Sequence, residues 1–241
     1  MESRALRIVL RIWVVGVLLL LFIPIALILL YAFDRSNVES WPIPGFTLRW
    51  FSVAWHDPDV RQYANAVAWH GYAGNASMMS KVHDAHPDAE MYWTEGGPDY
   101  TSPDYATDWA KWGHTFTEAL RNWCQSLTGW NLALDEQGRP NIGPFPCGGL
   151  VTIHSQTKEI TRSGQYCAFA HFSRLIQRGA TRFDSQGLVP NVDHVACENA
   201  DGQKVLVITN TDAARTVVLQ TGTMAADLNL PKNSLTTLVW K

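Results

Sequence analysis

Two short apolar stretches of this chain each end in side chains that could do covalent or acid–base chemistry. The run Ala89–Thr94 delivers the carboxylate of Glu95 directly into a Gly-Gly-Pro turn. An earlier run, Ala66–Trp69, is followed by His70 and Tyr72 with a glycine between them. Strand ends of α/β barrels commonly present catalytic groups in this way. The two segments therefore predict neighbouring strand ends of one site, although an ordinary loop carboxylate explains Glu95 equally well.

The residues that follow predict the elements that would position this site. Apolar spacing indicates a short helix at Ser77–Ala85 and a long amphipathic helix at Asp108–Ser126, and Trp130–Leu134 indicates a third strand. Alternating strands and helices imply parallel pairing with right-handed crossovers. We therefore predict an α/β region, with strands at Ala66–Trp69 and Met91–Thr94 beside the third.

Beyond Pro146 the pattern changes to a helix–strand linker and then to an all-β module that continues to residue 241. Two runs, Val192–Glu198 and Lys204–Thr209, flank an Asn-Ala-Asp-Gly turn and predict a hairpin. The other predicted elements are strands at Leu150–His154, Thr216–Leu219 and Ser234–Trp240, and a helix at Gln165–Gln177. An antiparallel sandwich is the expected arrangement.

The amino-acid composition favours some classes of function over others. The 241 residues carry a net charge of −3, which gives no indication of a nucleic-acid partner. Eleven tryptophans are a weak indication of sugar binding, because an indole face stacks on the apolar face of a sugar ring. Four widely spaced cysteines, with no Cys-x-x-Cys and no His/Cys cluster, predict no metal and no cofactor. Two disulfides or buried free thiols both remain possible for Cys124, Cys147, Cys167 and Cys197.

The apolar run Ile12–Phe33 is long enough to cross a membrane. Arg4, Arg7 and Arg11 precede it, so the positive-inside rule predicts a cytoplasmic N-terminus and an extracytoplasmic remainder. A signal peptide is the alternative, but the run is followed by no A-x-A cleavage pattern. A retained membrane anchor is the better interpretation.

Three segments in this region carry a resemblance to a known family. They are Phe22–Ile25, Tyr31–Ser36 and Gly45–Phe51. Together, over about residues 5–62, they resemble the N-terminus of ABC-transporter permease subunits of the spermidine/putrescine type. In that family several more spans follow, whereas no second apolar run of this length follows Phe33 here. The resemblance therefore describes a permease cut off after its first helix, and transport does not follow from it.

A second set of segments, in order along about residues 63–241, resembles glycoside hydrolase family 30, the glucosylceramidase-like β-glycosidases. The segments are Val67–Asn75, Tyr92–Gly96, Gly129–Asp135, Gly148–Val151 and Tyr166–Ser173. The resemblance implies the last three strands of a (β/α)8 barrel in residues 63–146. It also implies a linker and β-sandwich in residues 147–241, all preceded by the permease-like segment 1–62 with its one transmembrane helix.

The same resemblance implies a retaining β-glycoside hydrolase with Glu95 as nucleophile. His70 and Tyr72 would position the sugar or hydrogen-bond the nucleophile, and Trp130 would stack under the substrate. Without the resemblance, packing in the core is the simpler role for His70 and Trp130. The family's acid/base glutamate lies in an Asn-Glu-Pro context that this chain lacks, and neither Glu118 nor Glu136 matches its position.

The expected substrate is a β-glycoside, either glucosylceramide-like or an oligosaccharide. With the acid/base missing, little hydrolysis is expected from this chain alone. A truncated permease and a non-catalytic sugar-binding module remain the alternative functions.

Overall fold

A computed structural model describes residues 4–36, 41–141, 143 and 145–241. The chain divides into two compact units, Met1–Asn65 and Ala66–Lys241. The first unit begins with helix α1, Arg4–Ala32, which contains one stretch, Ile8–Ala32, long and apolar enough to cross a membrane. The predicted run began at Ile12, but the helix starts earlier because arginine and leucine are both good helix formers.

Two short helices complete the described part of the first unit: α2, Arg49–His56, and α3, Pro58–Tyr63. The Asp57 side chain caps α3 by accepting a hydrogen bond from the Asp59 amide at 2.9 Å. The Trp50 indole N–H donates to the Asp34 carbonyl at 2.5 Å, which ties α2 to the end of α1.

The second unit opens with the predicted alternation of strands and helices. Its first elements are β1, Ala66–His70; α4, Ser77–Ala85; β2, Glu90–Glu95; α5, Trp109–Arg121; and β3, Ser126–Leu127. The three strands form a parallel sheet in the order β1-β2-β3. The expectation of parallel pairing is confirmed.

The position predicted for the third strand was wrong. Helix α5 ends at Arg121, five residues before the predicted end at Ser126, and Trp123 has a φ of 75° that turns the chain out of the helix. The chain therefore reaches the sheet earlier, as β3. Of the predicted strand Trp130–Leu134, only β4, Ala133–Leu134, is formed, and it pairs in a different sheet.

That second sheet consists of β4; β5, Val151–Ile153; and β6, Ile160–Arg162. Helix α6, Gly164–Ser173, follows and ends before the predicted Gln177. The remaining strands are β7, Thr181–Phe183; β8, Val192–Glu198; β9, Lys204–Asn210; β10, Arg215–Thr221; β11, Met224–Leu230; and β12, Ser234–Trp240.

Strands β12-β9-β8-β7 form an antiparallel sheet, and β10 and β11 form a hairpin. The predicted pairing of β8 with β9 is confirmed, running from Val192 opposite Asn210 to Glu198 opposite Lys204. Strand β11 was not predicted, because its exposed Met-Ala-Ala-Asp-Leu-Asn sequence has little alternation.

The central strands of this sheet are buried on both faces because they lie between two hydrophobic clusters. On one face, Val205 and Val207 join the core built around Phe116 of α5. On the other, Leu206 and Ile208 pack with Leu230 of the hairpin. Successive residues of β9 thus point to opposite cores, which explains its continuous apolar run.

All four cysteines are free thiols, and Cys124 and Cys197 are buried. Of the two arrangements compatible with their spacing, disulfides or free thiols, the structure therefore has the free thiols. Burial raises the pKa of both buried thiols. Across the described ranges, no group of three or more histidine, cysteine or acidic side chains is arranged to hold a metal ion.

Candidate active site

The carboxyl ends of β1 and β2 meet at one edge of the parallel sheet. His70 lies opposite Glu95 in the register, after an irregularity between Trp69 and His70. The Gly71 amide then donates to the Glu95 carbonyl at 2.8 Å, which joins the two strand ends. A Cβ at Gly71 would overlap the Trp93 ring, so the chain can turn this tightly only at glycine.

The Glu95 carboxylate contacts two side chains within the described part of the chain. The Tyr72 hydroxyl donates to Oε1 at 3.1 Å, and His70 Nε2 lies 3.7 Å from Oε2. The Glu95 side chain is 27% exposed and that of His70 is 52% exposed, so both can be reached from solvent. The rings of His70 and Tyr72 meet edge to face at 6.0 Å.

The electrostatics of Tyr72 define its role toward Glu95. Burial, and then the hydrogen bond and charge of Glu95, raise the pKa of the Tyr72 phenol. The hydroxyl therefore keeps its proton at neutral pH and donates it in the hydrogen bond. One carboxylate oxygen of Glu95 thus has a donor in Tyr72, and the other lies 3.7 Å from His70 Nε2.

Trp130 lies at the same sheet edge, just beyond β3. The Trp130 amide donates to the Gly96 carbonyl at 3.2 Å, next to Glu95, and the residue as a whole is 44% exposed. A Cβ at Gly97 would overlap the Trp130 carbonyl oxygen, so these two loops lie in direct backbone contact. The structure thus brings the side chains of His70, Tyr72 and Glu95 together, and Trp130 joins them through its backbone.

One residue of this region was missed by sequence reasoning. Gln165, in the first turn of α6, is fully buried and donates from Nε2 to the Gly96 carbonyl at 2.8 Å. Its partner lies 69 positions away along the chain, and a glutamine in a helix gives no periodic signal. Only the fold could reveal the contact.

Glu136 is unsuited to the role of proton donor. It accepts hydrogen bonds from the Ser155 hydroxyl at 2.6 Å and the Ser155 amide at 2.8 Å. These bonds lower its pKa to about 2, so it is ionised at neutral pH. Glu118 lies on α5 and is not among the side chains that contact Glu95.

The fold and the site together define a class: a partial (β/α)8 barrel joined to a β-sandwich, with a carboxylate at a barrel strand end. Residues 44–176 match the glycosyl hydrolase family 30 TIM-barrel domain, and residues 179–238 match the glycosyl hydrolase family 30 beta sandwich domain. The chain belongs to glycoside hydrolase family 30.

Two curated relatives illustrate the similarity. The chain is 35% identical to an endo-1,6-β-D-glucanase of Neurospora crassa over 165 residues, which cover 61% of the chain and 33% of the relative. It is 29% identical to putative glucosylceramidase 2 of Caenorhabditis elegans over 173 residues, which cover 67% of the chain and 33% of the relative. The chain thus spans about a third of the length of these proteins.

Solved structures show the same relationship. The endo-β1,6-glucanase BT3312 superposes with a TM-score of 0.69 at 28% identity, over 77% of this chain and 43% of that one. SrfJ from Salmonella typhimurium superposes with a TM-score of 0.74 at 25% identity, over 80% and 44%. The barrel-domain match begins at residue 44, inside the segment 1–62 for which a permease-like N-terminus was predicted. What is shown for that segment is one apolar helix long enough to cross a membrane, and the permease resemblance stays a prediction.

Proposed function

We propose that the unit Ala66–Lys241 carries the nucleophile side of a retaining β-glycoside hydrolase site, with Glu95 as the nucleophile. The observation that carries the proposal is the placement of the Glu95 carboxylate at the end of β2, held by the Tyr72 hydroxyl beside His70. Membership of a glycoside hydrolase family supports the reaction class.

In this proposal Glu95 attacks the anomeric carbon of the substrate while the bond to the leaving oxygen breaks. The covalent glycosyl–enzyme is then hydrolysed by water, which restores the carboxylate. Tyr72 donates to one Glu95 oxygen throughout and orients the attacking oxygen. His70 would hydrogen-bond a sugar hydroxyl, and the exposed indole of Trp130 would stack on the ring.

A retaining enzyme also needs a second carboxyl group about 5 Å from the nucleophile, to protonate the leaving oxygen. We assign no residue of this chain to that role. Loss of general acid catalysis reduces rates by roughly 10²–10⁴-fold, so natural glycosides are expected to turn over slowly. Glycosides whose leaving group departs without a proton should still react with Glu95.

The proposed substrate is a β-glucoside. Relatives are named as an endo-1,6-β-D-glucanase and as glucosylceramidases, so the group beyond the glucose is either another sugar or a ceramide-like lipid. A role in sphingolipid metabolism belongs to the second possibility. Comparing β-1,6-linked glucose oligomers with glucosylceramide in mixed micelles would distinguish the two.

Helix α1 is proposed to anchor the chain in a membrane, with the N-terminus in the cytoplasm and the hydrolase unit outside. Its apolar length supports the membrane anchor, and the preceding arginines support this orientation. A transporter role is the alternative suggested by the permease resemblance. Protease protection in vesicles tests both, because an anchored hydrolase leaves one protected span and a permease leaves several.

Covalent labelling tests the central proposal. The full chain, in detergent micelles, is incubated with the 2,4-dinitrophenyl glycoside of 2-deoxy-2-fluoro-β-glucose, whose leaving group needs no protonation. We expect a mass increase of one fluorosugar on the peptide that contains Glu95, and none in Glu95→Gln.

Glu90→Gln is the matched control, because Glu90 also accepts a hydrogen bond from a tyrosine hydroxyl, that of Tyr92. This variant should label like the wild type. Absence of label from a folded wild-type preparation would overturn the proposal. Reversible glucoside binding without label would instead indicate the non-catalytic sugar-binding module.

A further inference from the structure

The carbonyl of Gly96 is the point where three parts of the candidate site join. It accepts one hydrogen bond from the Trp130 amide at 3.2 Å and another from Gln165 Nε2 at 2.8 Å. This carbonyl belongs to the Gly96–Gly97 peptide group, one residue beyond Glu95, whose own carbonyl accepts a hydrogen bond from the Gly71 amide. The same carbonyl therefore connects the proposed nucleophile, the proposed sugar platform and the first turn of α6.

Gln165 is well held for such a role. Its side chain is fully buried, and it lies in the first turn of α6. The Ser163 side chain caps this helix by accepting from the Tyr166 amide at 3.1 Å, and the Gly164 amide donates to the Tyr105 carbonyl at 2.8 Å. The amide of Gln165 thus projects from an anchored helix start onto the loop that follows β2.

The loop after β2 is flexible in sequence, so the hydrogen bond from Gln165 matters for its conformation. Glu95 is followed by two glycines, whose backbone has more rotational freedom than that of other residues. The Gly96 peptide would reorient easily if its carbonyl were not held from two sides. Because Gly96 directly follows Glu95, rotation of the Gly96–Gly97 peptide would change the path of the chain between Glu95 and the contact with Trp130.

We infer that Gln165 is a positioning residue, which fixes Glu95 and Trp130 relative to one another through the Gly96 carbonyl. The inference rests on the proposed function of Glu95. Gln165 touches neither sugar nor reacting atoms in this scheme, and it acts only through the peptide that it holds. A glutamine that merely filled space at the start of α6 would be replaceable by any side chain of the same shape.

Two variants separate positioning from space filling. Gln165→Met keeps the length and approximate volume but removes the donor. Gln165→Glu keeps the shape and makes donation depend on pH, since a protonated carboxyl group can donate to the Gly96 carbonyl whereas an ionised one repels it. Gln220→Met is the matched control, because Gln220 donates to the carbonyl of Gly222 in the exposed β10–β11 turn.

The first measurement is the rate constant for fluorosugar labelling of Glu95 in the full chain. A small misplacement of reacting groups lowers rates strongly, so we expect a roughly 10- to 100-fold loss in Gln165→Met at every pH. Gln165→Glu should show a similar loss at high pH. As the pH falls and the introduced carboxyl group takes up a proton, its rate relative to the wild type should recover. A space-filling role predicts instead that Gln165→Met, which keeps the volume of the side chain, is labelled at the wild-type rate.

The second measurement needs no sugar chemistry. Hydrogen exchange at the Trp130 amide, which donates to the same carbonyl, should become about 10-fold faster in Gln165→Met and unchanged in Gln220→Met. If the wild type is not labelled, the proposed function fails while the exchange result still reports on the anchor. If both Gln165 variants label and exchange like the wild type, the inference on Gln165 is overturned. Where Gln165→Met fails to fold, exchange at the Trp130 amide in folded Gln165→Glu decides: exchange at the wild-type rate, compared at the same pH on both sides of the titration of the introduced carboxyl group, would overturn the inference.

Discussion

The two sheets at the ends of the Ala66–Lys241 unit are built in contrasting ways. In the sandwich sheet, β8 and β9 pair over seven residues and are covered on both faces. In the site sheet, β3 has two residues, and three of the five residues of β1 are exposed. The sandwich sheet is therefore held by buried apolar area, whereas the site edge depends on a few backbone contacts around glycines. Stability and candidate chemistry are thus largely located in different regions.

The largest effect should come from the residue that links the two regions. Phe116 is fully buried and packs edge to face on Trp93 at 5.7 Å, and its ring lies 4.3 Å from that of Phe169. Its core also includes Val205 and Val207 of the sandwich sheet. Phe116→Ala should lower the free energy of unfolding by about 3–5 kcal/mol, because it leaves a cavity in this core.

Urea unfolding in detergent micelles, followed by tryptophan fluorescence, would measure this loss. Phe145→Ala is the control, since Phe145 is 71% exposed and its removal should change stability little. An equally small effect of both substitutions would contradict the idea of a shared core.

Two glycine substitutions, one beside the candidate site and one in the sandwich, should differ in their effect on the labelling of Glu95. A Cβ at Gly97 would overlap the Trp130 carbonyl, whereas one at Gly222, in the β10–β11 turn, meets no atom within 4 Å. Gly97→Ala should cost about 1–3 kcal/mol and slow the labelling of Glu95 at least tenfold, because the two loops must move apart.

Gly222→Ala serves as the comparison. It should cost about 1–2 kcal/mol, since Gly222 has a φ of 57°, but it should leave the labelling rate unchanged. Equal labelling rates in the two variants would show that the site does not depend on the contact between Gly97 and Trp130.

The same contrast explains how far the sequence could predict the structure. The β8–β9 hairpin was predictable because two long apolar runs flank an Asn-Ala-Asp-Gly turn, so the signal is local. The meeting of His70 with Glu95 was predictable because the ends of parallel strands share one edge. Strand β3 was not, because two residues have no periodicity and their place depends on where α5 ends. The contact of Gln165 with Gly96 joins residues far apart in sequence. The catalytic roles of these residues stay predictions.

A smaller and more local effect is expected at Tyr72. Tyr72→Phe removes the hydroxyl that donates to Glu95 Oε1, in a hydrogen bond that is exposed to solvent. The fluorosugar labelling rate should fall roughly 10-fold or more, with little change in stability because the ring is exposed. Since the pKa of Tyr72 is raised, the wild-type rate should show no loss from ionisation of Tyr72 at pH values up to about 10. Unchanged labelling in Tyr72→Phe would contradict its orienting role.

The smallest effects should come from two histidines whose pKa values shift in opposite directions. The hydrogen bond from His114 to Asp193, 2.7 Å long, raises the pKa of His114 and links α5 to β8. Its contribution to stability is therefore complete below the unfolded pKa of about 6.5 and is lost as the pH rises through the folded value. Because His114 is half exposed, the contribution should stay below about 1 kcal/mol.

His171 should show the opposite dependence, because burial lowers its pKa. Its neutral ring shares a hydrogen bond with the Thr237 hydroxyl at 2.8 Å. The folded state resists protonation of this ring, so its contribution is present above about pH 6.5 and is lost as the pH falls through that value. The free energy of unfolding, measured between pH 5 and pH 9, tests both histidines. In Asp193→Asn the decrease in stability at alkaline pH should disappear, and in His171→Gln the decrease at acid pH should disappear. A change in the acid part of the profile in Asp193→Asn, or in the alkaline part in His171→Gln, would contradict the charge state assigned to that histidine. The sign of each slope follows only from whether the folded or the unfolded state binds more protons.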